Sequence, residues 1–440
     1  MFAALFLAAS LVAPQAASTP GNVMVLMADD VGCDMVSLFS GHPDAPPTPN
    51  LHALAASGVA FQAAYTDPVC SPTRACVLTG RYAFRTGIGS FLSPYGTVEH
   101  SLQPSEVTLP EALDAIAPWQ FESSAVGKWH LTAPPLNVGL APNQQGFDWF
   151  EGVPGNLYFN QTYFSHTTIR NGIALTSTTY STTEQVNAAL RRTAEMREPW
   201  LLYVAFNAGH EPWHVPPAPL HSYVLSGSPA NNPVEHYRAS VQALDSEIGR
   251  LVASMDPAVR ARTTFLFIGD NGSPNDVVTA PSIPGRSKGT LYEGGVRVPL
   301  IISGPTVAHP GSQCHALVNS VDIFPTVLDL CGASASAQAT LRRSDGISLT
   351  PYLAEPWRAP LREWVFATRF LPNGFGPYTS LGRMIRNSRW KLIERQGQGD
   401  LFFDMASAQG ESLNLASGAL TQQQRAAYGR LAQQLHALVP

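Results

Sequence analysis

The sequence predicts an α/β protein in which a mostly parallel central sheet is flanked by helices and followed by a small C-terminal α+β subdomain. Three observations support this fold class: apolar, β-rich runs alternate with helix-forming segments, polar residues follow each run, and short strand-like runs cluster near the C-terminus. Parallel sheets of this kind are covered on both faces and bind ligands beyond the carboxyl ends of their strands. The polar residues that follow the runs are therefore the first candidates for a functional site.

Four apolar runs are the predicted strands of this sheet. The first, residues 22–28 (NVMVLMA), ends at Asp29, Asp30 and Gly32. The other three cover residues 200–206 before Asn207 and His210, residues 263–268 before Asp270, Asn271 and Gly272, and residues 298–303 before Gly304 and Pro305. We expect buried parallel strands, because continuous apolar character is typical of strands covered on both faces.

Two segments between these runs carry helix signals. Residues 49–57 have Thr48 as a candidate N-cap and Pro49 at the first helical position, and Gly58 follows as a stop signal. Residues 234–255 carry an apolar stripe at helical spacing, formed by Tyr237, Val241, Leu244, Ile248 and Leu251.

The C-terminal part of the sequence changes character after Gly332, where small and polar residues predominate. Residues 364–369, 384–395 and 401–406 are typical of short antiparallel strands, and residues 421–438 of a terminal helix. We therefore place the main domain at residues 19–340 and the C-terminal subdomain at residues 341–440.

Composition excludes several classes of protein. Charged residues make up 13% of the 440 residues and apolar residues 45%, which argues against disorder and charged coiled coils. The 27 Lys+Arg and 32 Asp+Glu residues give a net charge of −5 without a basic block, so no nucleic-acid partner is predicted. The cysteines are too few for a disulfide scaffold. Cys33, Cys76, Cys314 and Cys331 either stay free or form a bridge, of which Cys314 with Cys331 is the simplest.

The first 18 residues have the outline of a secretory signal peptide. An apolar run at residues 2–12 is followed by small residues, which predicts export to a periplasmic, secreted or lumenal location. No Lys or Arg precedes Arg74, so a misplaced start or a buried strand or helix are the alternatives for residues 1–18. This run is too short to span a bilayer, and no later stretch reaches the ~18 apolar residues of a membrane helix. No stable membrane insertion is expected.

Two short motifs match catalytic patterns but lack the required structural context. Residues 210–214 (HEPWH) fit a zinc-binding HExxH pattern, yet Pro212 lies inside the turn that would have to be helical. Residues 285–289 (GRSKG) fit the GxSxG pattern of serine hydrolases, but Pro281 and Pro284 argue against the strand that must precede it.

The segment 70–81 (CSPTRACVLTGR) resembles the signature of type I sulfatases, arylsulfatase-like enzymes of the alkaline phosphatase superfamily. In that family, a formylglycine-generating enzyme converts the CxPxR cysteine to formylglycine (3-oxoalanine). Further motifs stand in the order of that family: DD at 29–30, TPNL at 48–51, GKWHL at 127–131, GFDWFEG at 146–152, HEPWHVP at 210–216, DNG at 270–272 and GRSKGTLYEGGVRVP at 285–299. The resemblance covers residues 22–305, with RWKLI and LFFDM similar to the family's C-terminal subdomain. It implies that residues 19–340 form the catalytic domain.

Asp29, Asp30, Asp270 and Asn271 are the candidate metal ligands. They offer only oxygen atoms, which suit a hard cation, Ca²⁺ in preference to Mg²⁺. Both pairs follow predicted strands, so a parallel sheet can bring them to one edge. The resemblance adds the residue derived from Cys70 to the metal site.

The resemblance also assigns catalytic roles. Cys70, as a formylglycine hydrate, supplies the nucleophile, Arg74 holds this hydrate, and Lys128 and Lys288 contact the sulfate. His130 deprotonates the sulfated hydrate as it releases sulfate. His210 lies against the departing oxygen and aids the leaving group.

The implied function is hydrolysis of a sulfate ester on a sulfated carbohydrate or an aryl sulfate, with a sulfated small molecule or glycan as substrate. Two alternatives stay open: a phosphonate monoester or phosphodiester hydrolase of the same superfamily, and a non-catalytic sulfoglycan-binding protein in which Cys70 remains a thiol. Residues 153–181, rich in Thr, Tyr, Asn and Phe, form either part of the substrate pocket or a surface loop, and His214 is a further candidate for the pocket.

Overall fold

A computed structural model describes residues 21–93, 99–116, 121–157, 161–333 and 344–439. The predicted signal peptide at residues 1–18 and the predicted domain boundary between residues 340 and 341 lie outside these residues. None of the described helices is long and apolar enough to cross a membrane.

The main sheet has eleven strands, which confirms the predicted fold class. In chain order they are β1 Asn22–Ala28, β2 Gly58–Tyr65, β3 Glu122–Lys128, β4 Trp149–Val153, β5 His166–Arg170, β6 Ile173–Ser177, β7 Trp200–Ala205, β8 Thr263–Gly269, β9 Arg297–Val298, β10 Leu300–Ser303 and β11 Ser312–Asn319. Their order in the sheet is β11-β2-β10-β8-β1-β7-β3-β4-β5-β6, and β9 pairs with β2. The central strands β8, β1, β7, β3 and β4 are mutually parallel.

The fourth predicted strand, residues 298–303, is wrong in orientation. Pro299 separates β9 from β10, and β10 runs antiparallel to both β8 and β2. Gly304 consequently lies against Thr264 at the beginning of β8. Gly304 and Pro305, which follow this run, therefore lie at the opposite end of the strands from the polar residues that follow the other three runs.

Thirteen helices accompany the two sheets in the described residues. They are α1 Ser37–Ser40, α2 Pro49–Ala56, α3 Cys70–Thr79, α4 Ala83–Thr86, α5 Leu109–Ile116, α6 Ala141–Gln144, α7 Ser181–Glu195, α8 Pro233–Ser254, α9 Pro257–Ala261, α10 Glu293–Val296, α11 Ile323–Leu330, α12 Thr350–Ala354 and α13 Gln422–Leu438. The predicted helices at 49–57 and 234–255 correspond to α2 and α8, and the apolar stripe of α8 is buried.

Hydrophobic cores on both faces of the main sheet explain why β1 is apolar throughout. Val23, Val25 and Met27 point into the core that α3, α5 and α11 cover. Their neighbours along the strand point into the opposite core, covered by α7 and α8. Burial of both faces fixes the register of β1 and, with it, the position of the two carboxylates that follow.

The C-terminal part forms a four-stranded antiparallel sheet, as predicted. Its strands pair in the order β12 Val365–Leu371, β13 Ser380–Arg386, β14 Trp390–Arg395 and β15 Leu401–Asp404. Helix α13 begins after Thr421, which forms a capping box with Gln424, and buries Leu431 and Leu435 against this sheet.

Buried charges join the small sheet to the main body. Lys391 of β14 is fully buried and pairs with Glu293 of α10 at 2.9 Å and with Glu411 at 2.8 Å. Arg386 of β13 pairs with the same Glu293 at 3.0 Å. The loss of any partner would leave an uncompensated charge inside the protein, so these contacts hold the sheet in one position.

All five cysteines are buried free thiols. Cys314 lies in β11 and Cys331 follows α11, and the open possibility of a bridge between them is not realised.

Candidate active site

The predicted site residues converge at the carboxyl ends of neighbouring parallel strands. Asp29 and Asp30 follow β1, Asp270 and Asn271 follow β8, and Lys128 is the last residue of β3. All five are buried. Since β8, β1, β7 and β3 are adjacent in the sheet, residues far apart in sequence meet at one edge.

Cys70 lies at the first position of α3, directly above the carboxylates. Its Sγ is 3.4 Å from Oδ1 of Asp29 and 3.9 Å from Oδ1 of Asp30. Potential ligand atoms of these three residues and of Asp270 lie within 4.8 Å of one another. Asp30 adopts a left-handed φ of 59°, a sharp turn that lets two consecutive carboxylates face the same point.

The acidic cluster fits a hard divalent cation. Oδ1 of Asn271 is buried without a hydrogen-bond partner, while its Nδ2 donates to Oδ1 of Asp30 at 2.7 Å. Burial and the neighbouring Asp29 raise the pKa of Asp270 to about 7. Carboxylate oxygens crowded together, with an unpaired amide oxygen beside them, are the donor set that Ca²⁺ and Mg²⁺ prefer.

Three cations surround this cluster. Nη2 of Arg74 donates to Oδ2 of Asp270 at 2.8 Å, Nζ of Lys128 lies 2.5 Å from Oδ2 of Asp29, and Nζ of Lys288 lies 2.5 Å from Oδ2 of Asp30. Burial raises the pKa of Asp29, but Lys128, His210, Arg74 and Lys288 together outweigh this effect and hold that pKa well below its usual range. The site therefore keeps a dense array of opposite charges out of water.

The whole sequence contains three lysines, Lys128, Lys288 and Lys391. The first two belong to this site. The side chains of Lys128 and Lys391 are fully buried, whereas 22% of the Lys288 side chain is exposed.

His130 is held as a neutral proton acceptor. Its Nε2 lies 2.6 Å from the carbonyl oxygen of Leu92, so Nε2 carries the hydrogen and donates it. Its Nδ1 is buried without a hydrogen-bond partner. Burial and the nearby Lys128 and Arg74 hold the pKa of His130 well below its usual range. The ring is therefore neutral, and the lone pair of Nδ1 has no competing donor.

His210 approaches the same cluster from the loop after β7. Its Nδ1 donates to the carbonyl oxygen of Glu211 at 2.8 Å, which leaves Nε2 3.7 Å from Oδ2 of Asp30. Burial and the charge of Lys288 lower the pKa of His210 to about 4.

Four of these groups line a cavity of about 530 Å³. Cys70, Asp30, His210 and Lys288 are at its floor. Its walls include Asn156 from the segment 153–181 and Trp213 from the HEPWHVP motif, and four residues that the sequence did not single out: Phe91, Asn275, Asp276 and Arg369. A concave site with charged groups at the floor and aromatic residues on the walls is typical of an enzyme that binds a small polar substrate.

Comparison with known proteins gives the family of the chain. The family model described as Sulfatase matches residues 21–333. The chain belongs to the sulfatase family. It is 31% identical to arylsulfatase A from Bos taurus, over 82% of this chain and 73% of that protein. It is 28% identical to N-acetylgalactosamine-6-sulfatase from Sus scrofa, over 80% of this chain and 69% of that protein.

A solved structure shares the fold. The structure of BT4656 in complex with its substrate D-glucosamine-2-N,6-O-disulfate superimposes with a TM-score of 0.72 at 19% identity, over 96% of this chain and 97% of that chain. The protein is thus a sulfatase, an enzyme that hydrolyses sulfate esters, on the fold predicted from its sequence.

The segments of this sulfatase that match the HExxH and GxSxG patterns have the irregular structure that their prolines predict. Residues 210–214 form no helix, and no strand precedes residues 285–289. The ring of His214 stacks on Tyr163 at 3.8 Å and its Nε2 lies 3.1 Å from the hydroxyl of Tyr180. His214 therefore packs in an aromatic cluster. It does not line the cavity, in contrast to the prediction that it belongs to the substrate pocket.

The Thr- and Tyr-rich segment at 153–181 contributes less to the pocket of the sulfatase than expected. Residues 166–177 of this segment form the β5–β6 hairpin at the edge of the main sheet, and Asn156 is the described member that lines the cavity. Conversely, the α8 stripe residue Tyr237 has a role beyond packing. Its hydroxyl donates to the carbonyl oxygen of Asp30 at 2.7 Å and supports the turn between the two carboxylates.

Proposed function

We propose that this sulfatase hydrolyses the sulfate ester of a sulfated carbohydrate with a formylglycine derived from Cys70. The observation that carries the proposal is the position of Cys70 Sγ, 3.4 Å from Asp29, inside a buried cluster of carboxylates and cations at the cavity floor. A divalent cation, Ca²⁺ in preference to Mg²⁺, is proposed to be held by Asp29, Asp30, Asp270, Asn271 and the residue derived from Cys70. When bound, this cation supplies positive charge that polarises the sulfate and the attacking hydroxyl.

An unmodified thiol at this position is a poor nucleophile. Burial and the carboxylate of Asp29 raise the pKa of the Cys70 thiol well above its usual range, so it stays protonated. Conversion to formylglycine replaces the thiol with a hydrated aldehyde, which offers one hydroxyl to attack sulfur and a second to expel sulfate afterwards. Maturation by a formylglycine-generating enzyme is therefore part of the proposal.

The chain supplies the proton transfers around that group. His130 presents Nδ1 as an acceptor without a competing partner, which suits removal of a proton from the hydroxyl that drives sulfate release. His210 lines the cavity beside Lys288 and is placed to contact the departing oxygen of the ester.

The cations bind and orient the sulfate. Lys288 and Lys128 lie next to the carboxylates that surround Cys70, where positive charge stabilises sulfuryl oxygens in the transition state. Arg74 is tied at both ends of its guanidinium, to Asp270 at 2.8 Å and to the carbonyl oxygen of Lys128 at 2.9 Å. It is therefore preorganised to hold the hydrate.

A sugar fits the upper part of the cavity. Phe91 is 51% exposed at the cavity wall, and Trp213 contributes a second ring. Apolar ring faces with polar neighbours such as Asn156 are suited to the two faces of a pyranose. The named substrates of a curated relative and of a structural neighbour, an N-acetylgalactosamine sulfate and a glucosamine disulfate, support the same class. Residues 1–18 support export of the enzyme.

The test begins with the mass of the chymotryptic peptide 66–78, from protein produced with a formylglycine-generating enzyme. We expect an aldehyde at Cys70 and an intact thiol at Cys76, which serves as an internal control. This protein should release sulfate from sulfated sugars or aryl sulfates, and Cys70→Ala should abolish release.

Three results would contradict the proposal. Full turnover by Cys70→Ala would exclude the formylglycine mechanism. Faster cleavage of an aryl phosphonate than of an aryl sulfate would indicate the phosphonate hydrolase instead. An unmodified thiol together with sulfoglycan binding but no release would indicate a binding protein.

A further inference from the structure

One cation in the active-site cavity comes from outside the sulfatase motifs. Arg369 belongs to β12 of the small C-terminal sheet, yet it lines the same cavity as Cys70, His210 and Lys288. No motif of the sequence marks it, because an isolated arginine in a short antiparallel strand is normally a solvated surface charge.

Backbone contacts fix Arg369 relative to the nucleophile. The N–H of Thr368 donates to Oδ1 of Asp67 at 2.8 Å, and the N–H of Gly289 donates to the carbonyl oxygen of Pro68 at 2.7 Å. Nη1 of Arg369 in turn donates to the carbonyl oxygen of Gly289. Asp67 and Pro68 lead directly into Cys70, so two short chains of hydrogen bonds connect Arg369 to the catalytic position.

Arg369 lacks a counter-charge. It forms no ion pair with any carboxylate in the part of the chain that the structure describes, whereas Arg362 pairs with Asp322 and Arg386 with Glu293. Burial lowers its pKa without an opposing acidic group. A partly buried, unpaired guanidinium retains donors for a ligand and gains from an anion that restores its lost solvation.

The acidic residues of the cavity do not pair with Arg369, and Asp30 pairs with Lys288 instead. Glu211 and Asp276 also line the cavity, but both are exposed and neither pairs with Arg369. Oδ2 of Asp276 accepts a hydrogen bond from Nε1 of Trp213 at 3.1 Å. These two carboxylates suit sugar hydroxyls, and Arg369 is left without a carboxylate partner among the lining residues.

We infer that Arg369 binds a second anionic group of the substrate, so that this sulfatase selects sulfated sugars that carry a further sulfate or a carboxylate. The inference rests on the proposed function, in which the scissile sulfate occupies the floor beside Lys288. The planar guanidinium matches both anions through paired hydrogen bonds, and a lysine reproduces only its charge.

The test compares kcat/KM for three substrates of the matured enzyme. They are N-acetylglucosamine 6-sulfate with one anion, glucosamine-2-N,6-O-disulfate with two sulfates, and a monosulfated disaccharide that contains a uronic acid. An aryl sulfate serves as the reference. The wild type should prefer at least one of the two dianionic sugars by tenfold or more, and the preferred one identifies the second anion as sulfate or carboxylate.

Arg369→Gln should reduce this preference by roughly 10- to 100-fold, mainly through KM, since the loss of a hydrogen bond to a charged group weakens binding by about that factor. Arg369→Lys should keep an intermediate preference, and it also covers the case in which Arg369→Gln fails to fold. Arg395→Gln is the matched control, because Arg395 lines the neighbouring cavity on the small sheet and not the cavity that holds Cys70, and this variant should leave the preference unchanged.

An equal loss on all sugars, or a preference that Arg369→Gln leaves intact, would overturn the inference. A matured wild type that releases sulfate from none of the sugars and from no aryl sulfate would instead refute the proposed function, and the inference with it. Addition of salt offers a measurement on the wild type alone: the preference should fall as ionic strength rises.

Discussion

The carboxylate of Asp67 accepts a hydrogen bond from the backbone N–H of Thr368 across 301 positions of sequence, at 2.8 Å. Its other oxygen accepts a bond from Sγ of Cys76 at 3.3 Å. One buried side chain thus joins the strand that carries Arg369 to the helix that begins with Cys70. The small sheet and the catalytic loop are therefore positioned together.

The first prediction concerns the pH dependence of stability. Burial raises the pKa of Asp67 from 3.8 to about 6, so the folded state keeps a proton that the unfolded chain releases between these values. This contribution to the free energy of unfolding is complete below pH 3.8 and is lost as pH rises through 6. Its size is roughly 3 kcal/mol. Between pH 4 and pH 7.5, urea unfolding should show a larger loss of stability for the wild type than for Asp67→Asn. Parallel losses in both proteins would refute this assignment.

The second prediction concerns the metal site. Ca²⁺ should raise the melting temperature of the apo protein, because it offsets the repulsion among Asp29, Asp30 and Asp270. At a free Ca²⁺ concentration one hundred times the Kd, binding should raise the free energy of unfolding by roughly 3 kcal/mol. Differential scanning calorimetry should show no such shift for Asp270→Asn and the full shift for Asp276→Asn, the control at the cavity wall. A shift that survives in Asp270→Asn would place the cation elsewhere.

The third prediction separates catalysis from folding at Lys128. Lys128→Met should lower kcat/KM for an aryl sulfate by roughly 10²- to 10³-fold, the usual effect of removing one preorganised group that stabilises transition-state charge. The measurement is a steady-state assay, with circular dichroism as the check on folding. A folded variant with near wild-type kcat/KM would exclude Lys128 from the reaction.

The fourth prediction concerns the charges beneath the small sheet. Lys391→Met leaves Glu293 and Glu411 without their shared cation and should lower the free energy of unfolding by roughly 3–5 kcal/mol. Denaturant unfolding measures this loss. Arg389→Met, at the exposed pair with Asp404 on the same sheet, is the control and should show no measurable loss. Equal effects of the two substitutions would contradict the structural role of the buried charges.

Much of the fold and the floor of the site could be predicted because their signals are local. A continuous apolar run that ends in Asp29 and Asp30, and another that ends in Asp270 and Asn271, place both pairs at one sheet edge once the strands are parallel. The direction of β10 could not be predicted in this way. An apolar run has the same composition in either orientation, and only its pairing with β8 and β2 shows that it is antiparallel.

The walls of the cavity depend on tertiary contacts that leave no pattern in the sequence. Arg369 reaches the cavity because Asp67 and Gly289, distant in sequence, hold β12 against the catalytic loop. His214, a candidate for the substrate pocket only, stacks on Tyr163 and does not line the cavity. Neither outcome follows from spacing.

The scarcity of lysine has a practical consequence for handling this enzyme. Lys288 is the lysine whose side chain is partly open to solvent, and it lies in the active site. Burial lowers the pKa of its amine, but Asp30 and the other negative groups around it hold that pKa well above its usual range. Amine-reactive dyes, biotin esters and aldehyde resins need the neutral amine, so the lysine side chains of this enzyme offer them almost no target. Immobilisation calls for carboxyl-directed or affinity-tag chemistry.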